Sequence, residues 1–275
     1  MTDVFRSLRG DGAPIHPGTG IVPILKEVGT KRLSVIGTGF YITRYGLVAT
    51  AKHVVEDLTD DGKSLTPSFV LHLQDDDAIV LRPIRRAHYL HDVDLAVVQA
   101  DNFVNDGSRS ALQNLRAVIA PVLPRDGTPL VTYAYPENAI LDFNDTGLIP
   151  VVRGDYFAGG VLRFVNRPEH PLLPFPYLET TVEVRSGASG GPVLLANGSV
   201  VGVNCRGWDF RGGEHEGQHL SYIAPIALLL DLEVDTFQLP RFSWEGNQFE
   251  TPLPPRTTIR ELVRRNIILS EPPIA

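Results

Sequence analysis

The sequence predicts an all-β protein, a sandwich or a pair of barrels. Three observations carry this. Short runs rich in Val, Ile, Phe and Tyr recur along the chain, turn residues bound most of them, and helical periodicity is sparse. The 25 Gly and 22 Pro are spread through the sequence rather than gathered in one tract. β-branched and aromatic residues suit a pleated, half-buried surface, and Gly and Pro punctuate it. Such a pattern builds sheet on sheet rather than helix on sheet.

Strands are expected at residues 33–36, 39–42, 46–49, 69–73, 79–83 and 95–99, then at 130–135, 161–165, 180–184, 193–195, 200–204 and 219–224. Pro121 and Pro124 interrupt the pattern near the midpoint. They mark the crossing between two β halves, 30–120 and 121–238, with 1–29 read as an N-terminal extension and 239–275 as a C-terminal tail. Helical stretches are expected at 51–58, at 224–232 and at 257–268. In the last, Thr257 or Thr258 supplies the N-cap and Glu261 lies in the first turn. Asn197-Gly198 between apolar runs predicts a hairpin with a type I′ turn, because both residues tolerate a positive φ. Asp75-Asp76-Asp77 reads as a solvated hairpin turn, too poor in oxygen ligands for calcium.

The 25 Lys and Arg against 32 Asp and Glu give a net charge of −7, which leaves no basic footprint for nucleic acid. Cys205 is the single cysteine, so no internal disulfide can form and a reducing cytoplasm is the expected compartment. The N-terminus lacks the apolar core of a secretory leader, and no apolar run approaches the ~18 residues of a membrane span. No membrane partner is therefore expected, and the sequons at Asn144 and Asn197 are read as fortuitous.

Chemistry concentrates in Gly187-Ala188-Ser189-Gly190-Gly191-Pro192. A serine hydroxyl needs a base to take its proton and donors to hold the oxyanion formed on attack. The glycines let the backbone turn so that the N–H groups of Gly187 and Ser189 can point at one spot. These six residues alone fit a Gly-rich bend equally well. G-x-S-x-G also marks the α/β-hydrolase elbow, but that elbow needs a helix after the serine, with Asp and then His downstream. Here an apolar run and Asn197-Gly198 follow, so a strand succeeds the serine, and His215 and His219 lie too close to it. Upstream residues fit better. His53 stands where an expected strand ends, and Asp94 opens the apolar run LAVV. A buried carboxylate there can accept from an imidazole Nδ1–H, hold its tautomer and stabilise the imidazolium.

Those residues carry a resemblance. GTGFYIT at 37–43, LVATAKHV at 47–54, DLAVV at 94–98, GASGGPV at 187–193, VVGVN at 200–204 and HLSYIAPI at 219–226 resemble chymotrypsin-fold serine peptidases. The likeness is nearest to the disulfide-free bacterial trypsin-like and HtrA-type branch. It implies two six-stranded antiparallel β-barrels with a cleft between them, here with a C-terminal helix and tail. It also implies His53 as general base, Asp94 as its orienter, Ser189 as nucleophile and the N–H groups of Gly187 and Ser189 as oxyanion hole. Asp92 is the rival acid, but the family's acid is the one followed by Leu-Ala-Val. Ala188 departs from the secreted members, which carry an aspartate there that pairs with a newly cleaved N-terminus, so that activation route is closed.

The same resemblance places Glu183 on the floor of the primary pocket, favouring a basic residue at P1, the residue whose carbonyl is attacked. Leu220 on the pocket wall argues instead for a small or aliphatic P1, and Arg206 can pair with Glu183 and cancel its charge. Cys205, Arg206 and Gly207 are expected to form the edge strand that pairs with substrate backbone. His88-x-x-His91 and His215-x-x-x-His219 lack a third ligand or a helix, so no metal and no cofactor is expected. The tail is expected to pack on the barrels. The sequence thus implies a cytoplasmic serine endopeptidase acting on a protein or peptide substrate. A protein-binding module that no longer turns over, or one under a regulatory partner, is the alternative.

Overall fold

The computed structural model describes residues 17–29, 32–59, 64–73, 79–101, 115–136, 140–144, 147–148, 152–167, 169, 171–209, 219–237, 239, 244–245, 248–249 and 253–271. Six strands close the first barrel: β1 (Ile21–Gly29), β2 (Arg32–Tyr41), β3 (Leu47–Thr50), β4 (Ser68–Leu73), β5 (Ile79–Tyr89) and β6 (Ala96–Ala100). They bond in the order β1-β4-β5-β6-β3-β2, and β2 returns to β1. A short helix, α1 (Lys52–Glu56), leaves β3. β7 (Val118–Ile119) crosses to the second half.

The second barrel takes β8 (Pro129–Ala134), while β9 (Ile140–Asn144) and β10 (Gly147–Leu148) fold back as a hairpin against β2. It is completed by β11 (Asp155–Val165), β12 (Tyr177–Thr180), β13 (Pro192–Leu194), β14 (Val200–Asp209) and β15 (His219–Pro225). Their order is β13-β8-β11-β12-β15-β14, closed by β13 on β14. The expected pair of six-stranded antiparallel barrels is the fold observed. Among the described residues no helix is long and apolar enough to cross a membrane.

Several boundaries move, each for a physical reason. Ile21–Gly29 is not outside the β core but is the first barrel strand, with Ile21, Val22, Ile24 and Leu25 fully buried. Pro23 and an unbroken apolar run hid it, since Pro demotes a strand in sequence and period-2 alternation is missing. Pro23 precedes Ile24–Lys26, the part of β1 that β4 pairs with. β11 begins six residues before expected, at Asp155, because Gly159-Gly160 interrupts the apolar pattern where the strand passes from β8 to β12. The 180–184 strand instead ends at Thr180. The Asn197-Gly198 hairpin forms, but not through a type I′ turn. Gly198 has φ +84° while Asn197 does not have a positive φ, Gly198 N–H donates to Leu195 O, and Leu195 N–H donates to Ser199 O. That is a type I turn closed by a left-handed glycine, the three-residue loop.

The 224–232 stretch is a 3₁₀ helix over Ile226–Asp231. It leads to β16 (Glu233–Asp235), the small hairpin of β17 (Trp244–Glu245) and β18 (Gln248–Phe249), and β19 (Arg256–Thr258), which pairs with β16. The terminal helix α2 (Ile259–Arg264) is shorter than expected, and Thr258 is its N-cap, accepting from Glu261 N–H at 3.2 Å. β20 (Leu269–Ser270) then lies beside β7. Ile259, Leu262, Ile267 and Ile268 join the large apolar cluster that holds residues of both barrels, so the tail packs on the β core. Asp75-Asp76-Asp77, His215 and the threonine of the Asn144 sequon lie outside the described residues.

Candidate active site

His53 is placed by the end of β3. Thr50 closes the strand, Ala51 stays extended at φ −81° and ψ 148°, and α1 starts, so His53 is its second residue. Ala51 offers no side-chain cap, and Asp94 takes over that role: its Oδ1 accepts from His53 N–H at 3.0 Å. Its Oδ2 lies 2.8 Å from His53 Nδ1. A carboxylate only accepts, so the ring proton sits on Nδ1 and Nε2 is left with its lone pair. Burial pushes the Asp94 carboxyl upward, but the hydrogen bonds from the His53 ring and backbone N–H outweigh it and hold it below the ordinary carboxylate value. The acid is thus ionised and holds the imidazole by its Nδ1 side.

The serine turn is shaped by two left-handed glycines. Ala188 N–H donates to Arg185 O at 2.9 Å and Gly187 has φ +89°, which makes Arg185 to Ala188 a type II turn. Gly190 follows at φ +84°, where an added Cβ would lie 2.1 Å from Thr50 Oγ1 and 2.2 Å from Thr38 O. The turn's own bonds are donated by Ala188 and Gly191, and Gly190 N–H donates to Asn204 O of β14, so the N–H groups of Gly187 and Ser189 are not committed to it.

Thr38, fully buried on β2, braces this turn from the other barrel. Its hydroxyl donates to Gly187 O at 2.8 Å and accepts from Tyr135 N–H at 3.1 Å. Its N–H donates to Ser189 O at 2.8 Å, and its carbonyl accepts from Thr50 Oγ1 at 2.7 Å. In the sequence Thr38 is marked only as a small hydroxyl between Gly37 and Gly39, beside an expected strand.

Cys205 joins the acid to the serine. Its carbonyl accepts from Ser189 Oγ at 3.3 Å, and its thiol donates to Asp94 O at 3.6 Å. Burial and the nearby Asp94 push the thiol well above its ordinary value, so it stays protonated as a donor. The Ser189 hydroxyl therefore rests on Cys205 O rather than on His53. Beside His53 opens a hollow of about 210 Å³ walled by Asp92, Leu173, Phe175 and Arg206.

The specificity residues fall differently. Glu183 accepts from Arg185 Nε at 2.6 Å rather than from Arg206, and its side chain is 43% exposed, so it is no buried floor. Arg206 instead lies over the Trp208 ring at 5.5 Å. Gly207 and Arg206 pair with Ser221 and Tyr222 of β15, whereas the β13 ladder ends at Val203, so residues 206–209 have their other edge free of β13. Leu220 pairs with Trp208, and by period-2 alternation it faces opposite to its neighbour His219. His219, not Leu220, meets the serine segment, through Val184 N–H donating to its Nε2 at 2.9 Å. Among the described residues no three metal-ligating side chains cluster. His88 meets Asp235, and His91 packs edge-on against Tyr89.

A family model described as a trypsin-like peptidase domain matches residues 37–203. A protein of Halomonas elongata, described as a probable periplasmic serine endoprotease DegP-like, is 25% identical over 231 residues, 81% of this chain and 38% of that protein. The chain thus spans well under half of that relative. The MamO protease domain from Magnetospirillum magneticum superposes with a TM-score of 0.54 at 16% identity, covering 77% of this chain and 94% of that one. Deg5 superposes with a TM-score of 0.53 at 20% identity, over 77% of this chain and 85% of that one. At such identities the two superpositions establish the fold.

Proposed function

The chain belongs to the trypsin-like peptidase family, and from that premise we propose that it is a serine endopeptidase acting through an acyl-enzyme on Ser189. The observation that carries the reading is the His53–Asp94 pair, 2.8 Å from Nδ1 to Oδ2, with Nε2 left as an acceptor. Ser189 Oγ turns from Cys205 O to His53 Nε2, gives up its proton and attacks the scissile carbonyl. The oxyanion is held by the N–H groups of Gly187 and Ser189, and Asp94 stabilises the imidazolium. His53 then protonates the leaving amine, and water attacks the acyl-enzyme by the same route. Protein or peptide substrate adds along Arg206 and Gly207 as a further strand.

Fluorophosphonate labelling tests this. Wild type should label and Ser189→Ala should not. The resting bond of Ser189 to Cys205 O favours a second reading, a binding module that does not turn over, and a folded wild type that stays unlabelled would select it. The relative from Halomonas is described as periplasmic, and a chain with one cysteine folds without disulfides in either compartment. The cytoplasmic expectation therefore rests on composition alone, and cell fractionation decides it.

A further inference from the structure

On the peptidase reading, the P1 side chain enters beside Ser189, between residues 183–186 and β14. In this chain those two walls touch. A Cβ placed on Gly207 would stand 2.3 Å from Val184 O, well inside contact. The side chain filling the junction is His219. Its Nε2 accepts from Val184 N–H at 2.9 Å, and the ring lies 3.0 Å and 3.1 Å from the same Gly207 Cβ position. Acceptance at Nε2 puts the ring proton on Nδ1, so the neutral imidazole serves as a spacer hydrogen-bonded into the wall.

We propose that His219 sets the primary specificity of this peptidase, by occupying the volume a P1 side chain would enter and limiting P1 to residues of glycine, alanine or serine size. The ring is held by its bond from Val184 N–H, and the strand that carries it is itself anchored. β15 pairs His219 with Asp209 and Ser221 with Gly207, and Ser221, on the same face, is tied to Thr180 by a 2.7 Å hydroxyl contact. Admitting a larger side chain means breaking the Val184 bond and parting walls already in contact. Glu183, turned to Arg185 and half exposed, gives no counter-pull toward a basic P1.

The test separates this inference from the reading beneath it. N-acetylated peptides ending in Ala, Leu or Phe are titrated calorimetrically against Ser189→Ala and against Ser189→Ala with His219→Ala, each checked for fold by circular dichroism. Binding needs no turnover. The first should bind the Ala peptide at least tenfold more tightly than the Phe peptide, and the second should lose or invert that ratio. Ser189→Ala with His219→Gln, which keeps bulk and an acceptor for Val184 N–H, should retain the Ala preference and covers the case in which His219→Ala fails to fold. An unchanged ratio in the Ala variant, or a Phe preference with His219 in place, overturns the proposal. Fluorophosphonate labelling of wild type is read separately: if labelling fails while the ratio shifts, the peptidase reading falls and the pocket assignment stands.

Discussion

Replacing Thr38 by valine removes a hydroxyl and keeps the shape, and its consequences can be worked from two hydrogen bonds. Gly187 O loses its donor at 2.8 Å and Tyr135 N–H loses its acceptor at 3.1 Å, both at a fully buried site. A buried group left unsatisfied costs about 1–3 kcal/mol, so the two together cost roughly 2–6 kcal/mol. The methyl gained returns about 1 kcal/mol, leaving a net loss of about 3 kcal/mol. A domain stable by about 5–15 kcal/mol remains folded, so kinetics can be measured on the same variant. On the proposed mechanism Gly187 N–H serves the oxyanion, and a turn released at the Gly187 carbonyl would misplace that donor, whose outright loss costs about 100-fold or more in kcat. The expected signature is a fall in kcat with KM changed by less than about threefold, since the interaction acts in the transition state. Urea melts and steady-state peptide hydrolysis provide both numbers. Thr38→Ser keeps the hydroxyl and should stay near wild type in both. A Thr38→Val protein within about 0.5 kcal/mol and twofold of wild type would refute the idea that β2 holds the serine turn.

Gly190→Ala should abolish fluorophosphonate labelling and lower the melting temperature, because its Cβ would enter Thr50 Oγ1 and Thr38 O at a left-handed φ of +84°; normal labelling would contradict the turn described. Burial, with the Arg82 charge next, lowers His72 from 6.5 to about 4, so the unfolded chain binds a proton that the folded one refuses. Stability is then fully present above pH 6.5 and is lost as pH falls toward 4, on the order of 3 kcal/mol in all. His88, also lowered, adds to the slope, while Asp94 acts only below the ordinary carboxylate value of 3.8. Urea melts at pH 7 and 4.5 should show the loss, and His72→Gln should flatten it; a flat wild-type profile would count against the shift.

The residues of the proposed triad were legible because each is announced locally: His53 where a strand ends, Asp94 at the head of an apolar strand, Ser189 among glycines. Their contacts did not need the rest of the chain to be guessed. The pocket was not legible for the opposite reason. Which of His219 and Leu220 faces the serine segment depends on strand register, and β14 carries a register shift at Cys205 that no sequence pattern announces. Glu183 chose Arg185, two residues along, over Arg206 because neighbours on one strand-like segment share a face. β1 was hidden by Pro23, and the first half of β11 by Gly159-Gly160. The two- and three-residue strands of the tail are too short to carry any period at all.

The hydroxyl, N–H and carbonyl of Thr38 have a consequence for the life of the chain. Ser189 belongs to one barrel, and the template that shapes its turn belongs to the other. A ribosome finishes β2 long before Ser189 emerges, so the template waits for the part it will shape. A half-made chain, or one whose barrels have come apart, has the residues of a peptidase without the geometry of one. Docking of the two halves thus works as an interlock: on the proposed mechanism, the serine turn takes its shape only where both barrels are folded and in contact.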